Sequence, residues 1–156
     1  MTTEWAFKGQ EVKEPFHYRM SGLDDVYLRS GYRLHDDGDV VIEDMDGLHR
    51  AIGLHLACNK KTLTGREIRF LRHEMDASQK CLATVLRVSD QTLARWEKGE
   101  IPIGDPEELL LRLTYLGHIG GQLNIPELSK RITEMDESSM SKEFFEKTDE
   151  GWKSAA

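Results

Sequence analysis

Three stretches of the chain hold side chains able to do chemistry. His35-Asp36-Asp37-Gly38-Asp39 sets an imidazole among carboxylates, but its spacing is not that of a calcium loop, and such a run is turn-forming in its own right. His49, His55 and Cys58 offer three metal-binding atoms, yet the spacing H-x5-H-x2-C matches no usual zinc pattern. Residues 77–99, ASQKCLATVLRVSDQTLARWEKG, are of another kind: Gln, Lys, Asp and Arg are the side chains that bond phosphates and base edges. No Walker loop, GxGxxG, GxSxG or HExxH is present. The expectation is a binding protein with no catalytic residue, no metal site and no cofactor.

Charge points to the same stretch. The 156 residues carry 21 basic and 28 acidic side chains, a net charge of -7 that speaks against a surface coated throughout by nucleic acid. The distribution is uneven. Residues 1–59 hold 6 basic and 11 acidic groups, residues 60–99 hold 9 and 5, and residues 100–156 hold 6 and 12. A basic middle between acidic flanks is the footprint of one confined polyanion-binding face. With 38% apolar and 31% charged residues, no apolar run long enough to span a bilayer and no secretory layout in MTTEWAFKGQ, a soluble, cytoplasmic protein is predicted. Two cysteines without CxxC spacing fit a reducing compartment.

The elements that must position residues 77–99 are legible from caps and periodicity. Residues 1–14 have no period and read as a flexible arm. FHYRM, VYLRSGYRLH and VVIED are β-rich, separated by Ser21–Asp25 and by Asp36–Asp39, and predict a meander of about three strands. Leu48, Ala51, Ile52, Leu56 and Ala57 then form a helical stripe behind Asp46 as its cap, and Asn59-Lys60-Lys61 reads as a joint. Thr64-Gly65-Arg66-Glu67 has the form of a capping box, with Ile68, Leu71 and Met75 at helical spacing. Ser78 caps a second short helix burying Leu82, Ala83, Val85 and Leu86, and Ser89 caps a third with Leu93 and Trp96 inward and Gly99 at its end. Asp105-Pro106-Glu107-Glu108 starts a fourth, capped by Asp105 and burying Leu109, Leu110, Leu113 and Leu116. PELSKRITEM gives a further amphipathic turn or two through Leu128, Ile132 and Met135. Residues 136–156 read as a polar tail that Phe144, Phe145 and Trp152 could dock.

Two short capped helices, a small Ala83 between them, and Leu86 and Val88 bracketing a tight turn are the requirements of a helix-turn-helix. Over residues 63–118 the chain resembles the Cro/lambda-repressor (XRE) type of DNA-binding domain, including the Ser-Gln start of the second helix and the Trp-Glu-Lys-Gly end of the third. One position departs: Arg87 stands where that family usually places glycine. The resemblance makes Ser89–Lys98 the recognition helix, with Asp90, Gln91 and Arg95 toward the bases. It assigns Gln79, Lys80, Ser89, Thr92 and Lys98 to phosphates, and joins Arg72 to Glu97 in an inward ion pair. The chemistry agrees, since Gln can pair with adenine and Arg with guanine at two edges. The order of β-unit (SGLDDVYL), helix and LTGREIRFLR also resembles MqsA-type (YgiT-like) antitoxin regulators, although their CxxC zinc pairs are missing here, so no zinc role is carried over.

The predicted architecture is α+β: a small N-terminal β-unit with one helix (15–59), a four- to five-helix lambda-repressor-like helix-turn-helix domain (60–118), and a C-terminal helical extension with a polar tail (119–156). The predicted function is sequence-specific duplex-DNA binding in transcription regulation, as a homodimeric repressor. Leu123, Ile125, Leu128 and Ile132 are candidates both for the dimer contact and for the core. The alternatives are an antitoxin that regulates its own operon and holds a toxin through the N-terminal unit, and an adaptor that binds only protein.

Overall fold

A computed structural model describes residues 5–6, 15–121, 124–135 and 142–155. It is a mixed α/β protein with two small sheets and six helices among these residues. The chain divides into two units. Residues 1–52 and 141–156 form the first, residues 53–140 the second. The division falls inside a helix rather than at the joint Asn59–Lys61, and it assigns the chain's last stretch to the first unit.

The first unit contains β1 (Trp5–Ala6), β2 (Phe16–His17), β3 (Val26–Leu28), β4 (Tyr32–Leu34) and β5 (Val40–Ile42). Two sheets replace the single meander expected. β1, β4 and β5 form one antiparallel sheet, so Trp5 and Ala6 of the expected arm are strand residues; Phe7 lies outside the described residues. The β4–β5 hairpin closes over Asp36–Asp39: the His35 N–H donates to the Asp39 carbonyl at 2.8 Å, and Gly38 takes φ 91°, a value glycine reaches without a Cβ penalty. Between β2 and β3, Gly22 (φ 83°) makes the second turn.

The C-terminal tail is where the fold departs most from expectation. Residues 143–155 are not a polar tail but two strands, β6 (Glu143–Thr148) and β7 (Gly151–Ala155), which complete a four-stranded sheet in the order β2-β3-β6-β7. β6 runs parallel to β3, with Leu28 opposite Phe145. Alternation explains this. Phe145 is fully buried and Phe144 faces the other way, an alternation that two adjacent phenylalanines flanked by charged residues obscure. Trp152 is buried as well, and its indole N–H donates to the Glu43 carbonyl at 2.8 Å.

The opposite face of that sheet carries a row in register across three strands: His17, Tyr27 and Phe144. His17 and Tyr27 stack with centroids 4.5 Å apart and Tyr27 meets Phe144 at 5.7 Å. The Arg29 guanidinium lies 4.3 Å from the Phe144 centroid, and Lys142 Nζ lies 4.9 Å from that of Tyr27.

Helix α1 (Met45–Asn59) begins behind Asp44, not Asp46: the Asp44 carboxylate accepts from the Gly47 N–H at 3.2 Å, while Asp46 sits in the first turn. The second unit then holds α2 (Gly65–Glu74), α3 (Gln79–Leu86), α4 (Asp90–Glu97), α5 (Asp105–His118) and α6 (Ile125–Glu134). Its core is Leu63, Ile68, Leu71, Leu82, Ala83, Leu86, Leu93, Trp96, Leu111, Tyr115 and Leu116 with their neighbours. Each such large side chain contributes roughly 1.5–3 kcal/mol on burial.

The four helices α2–α5 end alike. In each, one N–H beyond the helix reaches the carbonyl five residues back: Ala77 to Arg72, Val88 to Ala83, Glu100 to Arg95 and Gly121 to Leu116, at 2.9–3.2 Å. The residue before each of these donors is left-handed: Asp76 (φ 51°), Arg87 (60°), Gly99 (74°) and Gly120 (73°). For the two that are not glycine this conformation costs about 1–2 kcal/mol.

In α5 the buried stripe is Glu108, Leu111, Arg112, Tyr115 and Leu116; of the expected Leu109, Leu110, Leu113 and Leu116 only Leu116 is buried, and Leu110 is exposed. Gly104, not Asp105, is the N-cap, so Asp105 is the first helical residue. The phase is set by Arg112, whose side chain is wholly buried. It donates to the Leu56, Ala57 and Lys61 carbonyls at 3.0–3.3 Å and to Glu108 Oε1 at 2.6 Å. Glu108 Oε2 accepts from the Leu63 N–H at 3.1 Å. The last turn of α1 contains no basic residue of its own, and Arg112 supplies the cation that its carbonyls favour. Among the described residues no helix is long and apolar enough to cross a membrane.

Candidate nucleic-acid interface

α3 and α4 are each eight residues long, and each starts on a serine. Ser78 Oγ accepts from the Cys81 N–H at 3.0 Å and Ser89 Oγ from the Thr92 N–H at 3.1 Å. These bonds satisfy donors that a helix start leaves open, which is why so short a segment holds its helix. Ala83 is buried at the inner face of α3, where its lack of bulk lets α4 approach, whereas Val85, expected on the buried side, is exposed because the inward stripe is set by Leu82, Ala83 and Leu86. Arg87 takes φ 60°, ψ 37° at the end of α3 and turns the chain toward Ser89.

The inner side of α4 is fixed by an ion pair with two parallel bonds. Arg72 Nε meets Glu97 Oε2 at 2.7 Å and Arg72 Nη2 meets Oε1 at 2.9 Å. Arg72 Nη1 donates to the Ala77 carbonyl, and Gln79 Nε2 donates to Glu97 Oε1 at 3.2 Å. One buried carboxylate thus ties α2, the following turn, the start of α3 and the end of α4. The same network engages one residue assigned to phosphates: the Gln79 amide nitrogen is turned onto Glu97.

Sequence reasoning missed a second constraint, Gly65. A Cβ added there would lie 2.5 Å from the Glu97 carbonyl oxygen and closer still to that of Trp96. The start of α2 rests on the backbone of α4, and no periodicity in the sequence announces such a contact.

The outer side of α4 exposes Asp90, Gln91, Arg95 and Lys98, while Leu93, Trp96 and Glu97 are buried. Gln91, Arg95 and Lys98 follow at four and three residues, so they share one stripe. Asp90 Oδ1 accepts from the Gln91 N–H, and Arg95 Nε lies 3.4 Å from Glu100 Oε2. Ser89 Oγ donates to Thr92 Oγ1 at 2.9 Å, and this leaves the Thr92 hydroxyl hydrogen as the outward donor of the pair. Lys80 is exposed on α3.

Burial sharpens the charge pattern. Of the basic groups between 60 and 99, Lys60 pairs with Glu67 at 2.8 Å, Lys61 holds the Ile132 and Thr133 carbonyls, and Arg72 holds Glu97. Arg66, Arg69, Lys80, Arg87, Arg95 and Lys98 are exposed. Among the acids of that stretch Glu67 and Glu97 are buried, so the positive excess is at the surface.

The other chemically suggestive groups have local roles. His35 and its carboxylates form the hairpin turn, where Asp37 Oδ1 accepts from the Asp39 N–H. His49 Nε2 is bonded to the Tyr18 hydroxyl at 2.7 Å. The half-buried Cys58 thiol is pushed up from its usual pKa by burial, against the opposing pull of Arg131 and Arg112. No group of three or more His, Cys, Asp or Glu among the described residues could hold a metal ion. Of the four expected dimer contacts, Leu128 is buried and Ile132 lines a cavity of about 600 Å³ with Lys61, Leu109 and Arg112, while Ile125 is exposed; Leu123 lies outside the described residues. No family model, curated protein or solved structure matches the chain.

Proposed function

We propose that the protein is a sequence-specific duplex-DNA-binding transcriptional regulator, a repressor acting as a homodimer, and that α2–α5 form a lambda-repressor-like helix-turn-helix domain. The observation that carries this reading is the two-sided build of α4. Its inner side is held by Glu97, Trp96 and Leu93, and its outer side presents Gln91, Arg95 and Lys98 in one stripe. In this reading α4 lies in the major groove and α3 crosses the backbone. Asp90, Gln91 and Arg95 meet base edges, while the side chains of Lys80, Lys98 and Thr92 meet phosphates and Ser89, whose hydroxyl hydrogen goes to Thr92, meets one through its backbone N–H. Gln79 contributes its backbone N–H at the start of α3, its side chain being engaged by Glu97. The molecule works without catalysis, and its site is the cytoplasm. A two-fold dimer follows from the few base pairs one helix can read.

The test is footprinting on the promoter of its own gene, with binding measured as salt is raised. Protection of a site with two half-sites, and affinity falling steeply with salt, are expected. Binding that is absent at low salt overturns the reading.

A second reading, an antitoxin that regulates its own operon, is favoured by one specific feature. The row His17, Tyr27 and Phe144 with Arg29 brings together the aromatic and arginine side chains that are enriched at protein interfaces. Its ring faces are taken up by one another and by cations, so they do not offer a platform for bases. Co-purification with the product of an adjacent small reading frame, lost on Tyr27→Ala, checks it.

A further inference from the structure

Three residues other than glycine have positive φ among those described: Asp44, Asp76 and Arg87. Aspartate visits the left-handed region more readily than most residues, and Asp44 also caps α1 with its side chain. Arginine has neither advantage. The turn after α3 asks only for a left-handed residue, and glycine would supply it without strain, as Gly99 and Gly120 do at the ends of α4 and α5. The Arg87 side chain is exposed, and among the described residues it enters no hydrogen bond, ion pair or ring contact that would offset the strain. Strain kept at a position with no internal return points to a role outside the folded chain.

The position indicates which role. Lys80 and Thr84 lie on the exposed side of α3, and Arg87, also exposed, is the left-handed residue that ends the helix, its backbone roughly 10 Å beyond that of Lys80 along the axis. Arg87 also lies two residues before Ser89, the cap of α4. We propose that Arg87 is a backbone-phosphate contact of the DNA face, a second cation beside Lys80, set in the turn that ends the helix crossing the backbone. A guanidinium can bond two phosphate oxygens at once, which a glycine turn cannot. The inference rests on the DNA-binding reading and adds to it a residue that the resemblance would assign to turn geometry alone.

The experiment compares the full-length wild type with Arg87→Gly and Arg87→Lys, using thermal unfolding and titration of a random-sequence duplex of about 30 base pairs over a range of salt. A phosphate contact at a strained position predicts opposite movements in Arg87→Gly. The melting temperature stays level or rises, while duplex affinity falls and the salt slope becomes shallower by about 0.9. Arg87→Lys should keep the wild-type slope, because the charge is kept. Wild-type affinity and slope in Arg87→Gly overturn the proposal while leaving the DNA reading intact. A lower melting temperature in Arg87→Gly also overturns it, since the arginine would then serve the fold. A wild type that binds no duplex overturns the DNA reading itself.

Discussion

Arg72 and Glu97 meet edge to edge, 25 residues apart in sequence, with both planar groups sharing two bonds of 2.7 and 2.9 Å. Both side chains are largely buried, so each makes the other tolerable. Replacing Glu97 by Ala would leave the guanidinium buried without its counter-charge, at a cost of about 3–5 kcal/mol. Urea denaturation should register that loss for Glu97→Ala and a similar one for Arg72→Ala, and the double variant should lose clearly less than the sum. Additive losses would mean that the pair is not coupled.

Gly65 offers a test of how closely α2 and α4 approach. Gly65→Ala sets a methyl group against two backbone carbonyls that cannot rotate away. A loss of about 1–3 kcal/mol is expected, although alanine is the better helix former. Equal or greater stability in denaturant would show that the two helices have room to part.

On DNA, base and phosphate contacts should separate. Arg95→Ala is expected to cost about 1–3 kcal/mol on the cognate site and to flatten discrimination at one base pair per half-site, with non-specific binding little changed. The exposed Arg95–Glu100 pair at 3.4 Å should not hinder this, because pairs of that kind contribute about 0–1 kcal/mol. Lys80→Ala and Lys98→Ala should weaken all sequences alike and make the salt slope shallower by about one each. Equal weakening of cognate and random duplexes by Arg95→Ala would reassign Arg95 to the backbone.

The two thiols should differ in reactivity. Burial disfavours the Cys58 thiolate, the reactive form, while Cys81 is exposed on α3. With iodoacetamide near neutral pH, Cys81 is expected to be alkylated first, and the Cys58 rate should keep rising at higher pH, where its thiolate forms. Peptide mapping after timed quenching checks the order.

What the sequence disclosed was local. The capping box of Thr64 and Glu67, the serine caps at 78 and 89, and the glycine turn at 38 depend on side chains within three residues of the bonds they make. The outward residues of α4 were legible for the same reason: Leu93 and Trp96 fix its phase. The misreadings depend on distant partners. Leu109, Leu110 and Leu111 make the phase of α5 ambiguous, and it is settled by Arg112 reaching carbonyls more than 50 residues away. Gly65 likewise takes its meaning from the backbone of α4. The hairpin of β6 and β7 reads as a tail in sequence because the strand that β6 joins, β3, is far upstream.

That distant pairing also admits a stability test. Phe145→Ala removes a fully buried ring from the strand that pairs with β3, at an expected cost of about 3–5 kcal/mol. Hydrogen exchange should report it at the Arg29 amide, which donates to the Phe145 carbonyl at 2.8 Å. Unchanged protection there would mean that the pairing does not depend on the ring.

Ser30 and Lys147 exchange two hydrogen bonds, at 2.8 and 3.2 Å, across 117 positions of chain. On a ribosome this distance is time. At about 5–20 residues per second, β3 emerges on the order of ten seconds before the strand that will pair with it. The second unit is continuous in sequence and can complete its helices while the first still waits with one edge of β3 open. For that interval the nascent chain carries a template for pairing with other chains, so slow translation or crowded polysomes should expose the β-unit, rather than the helical one, to misassembly.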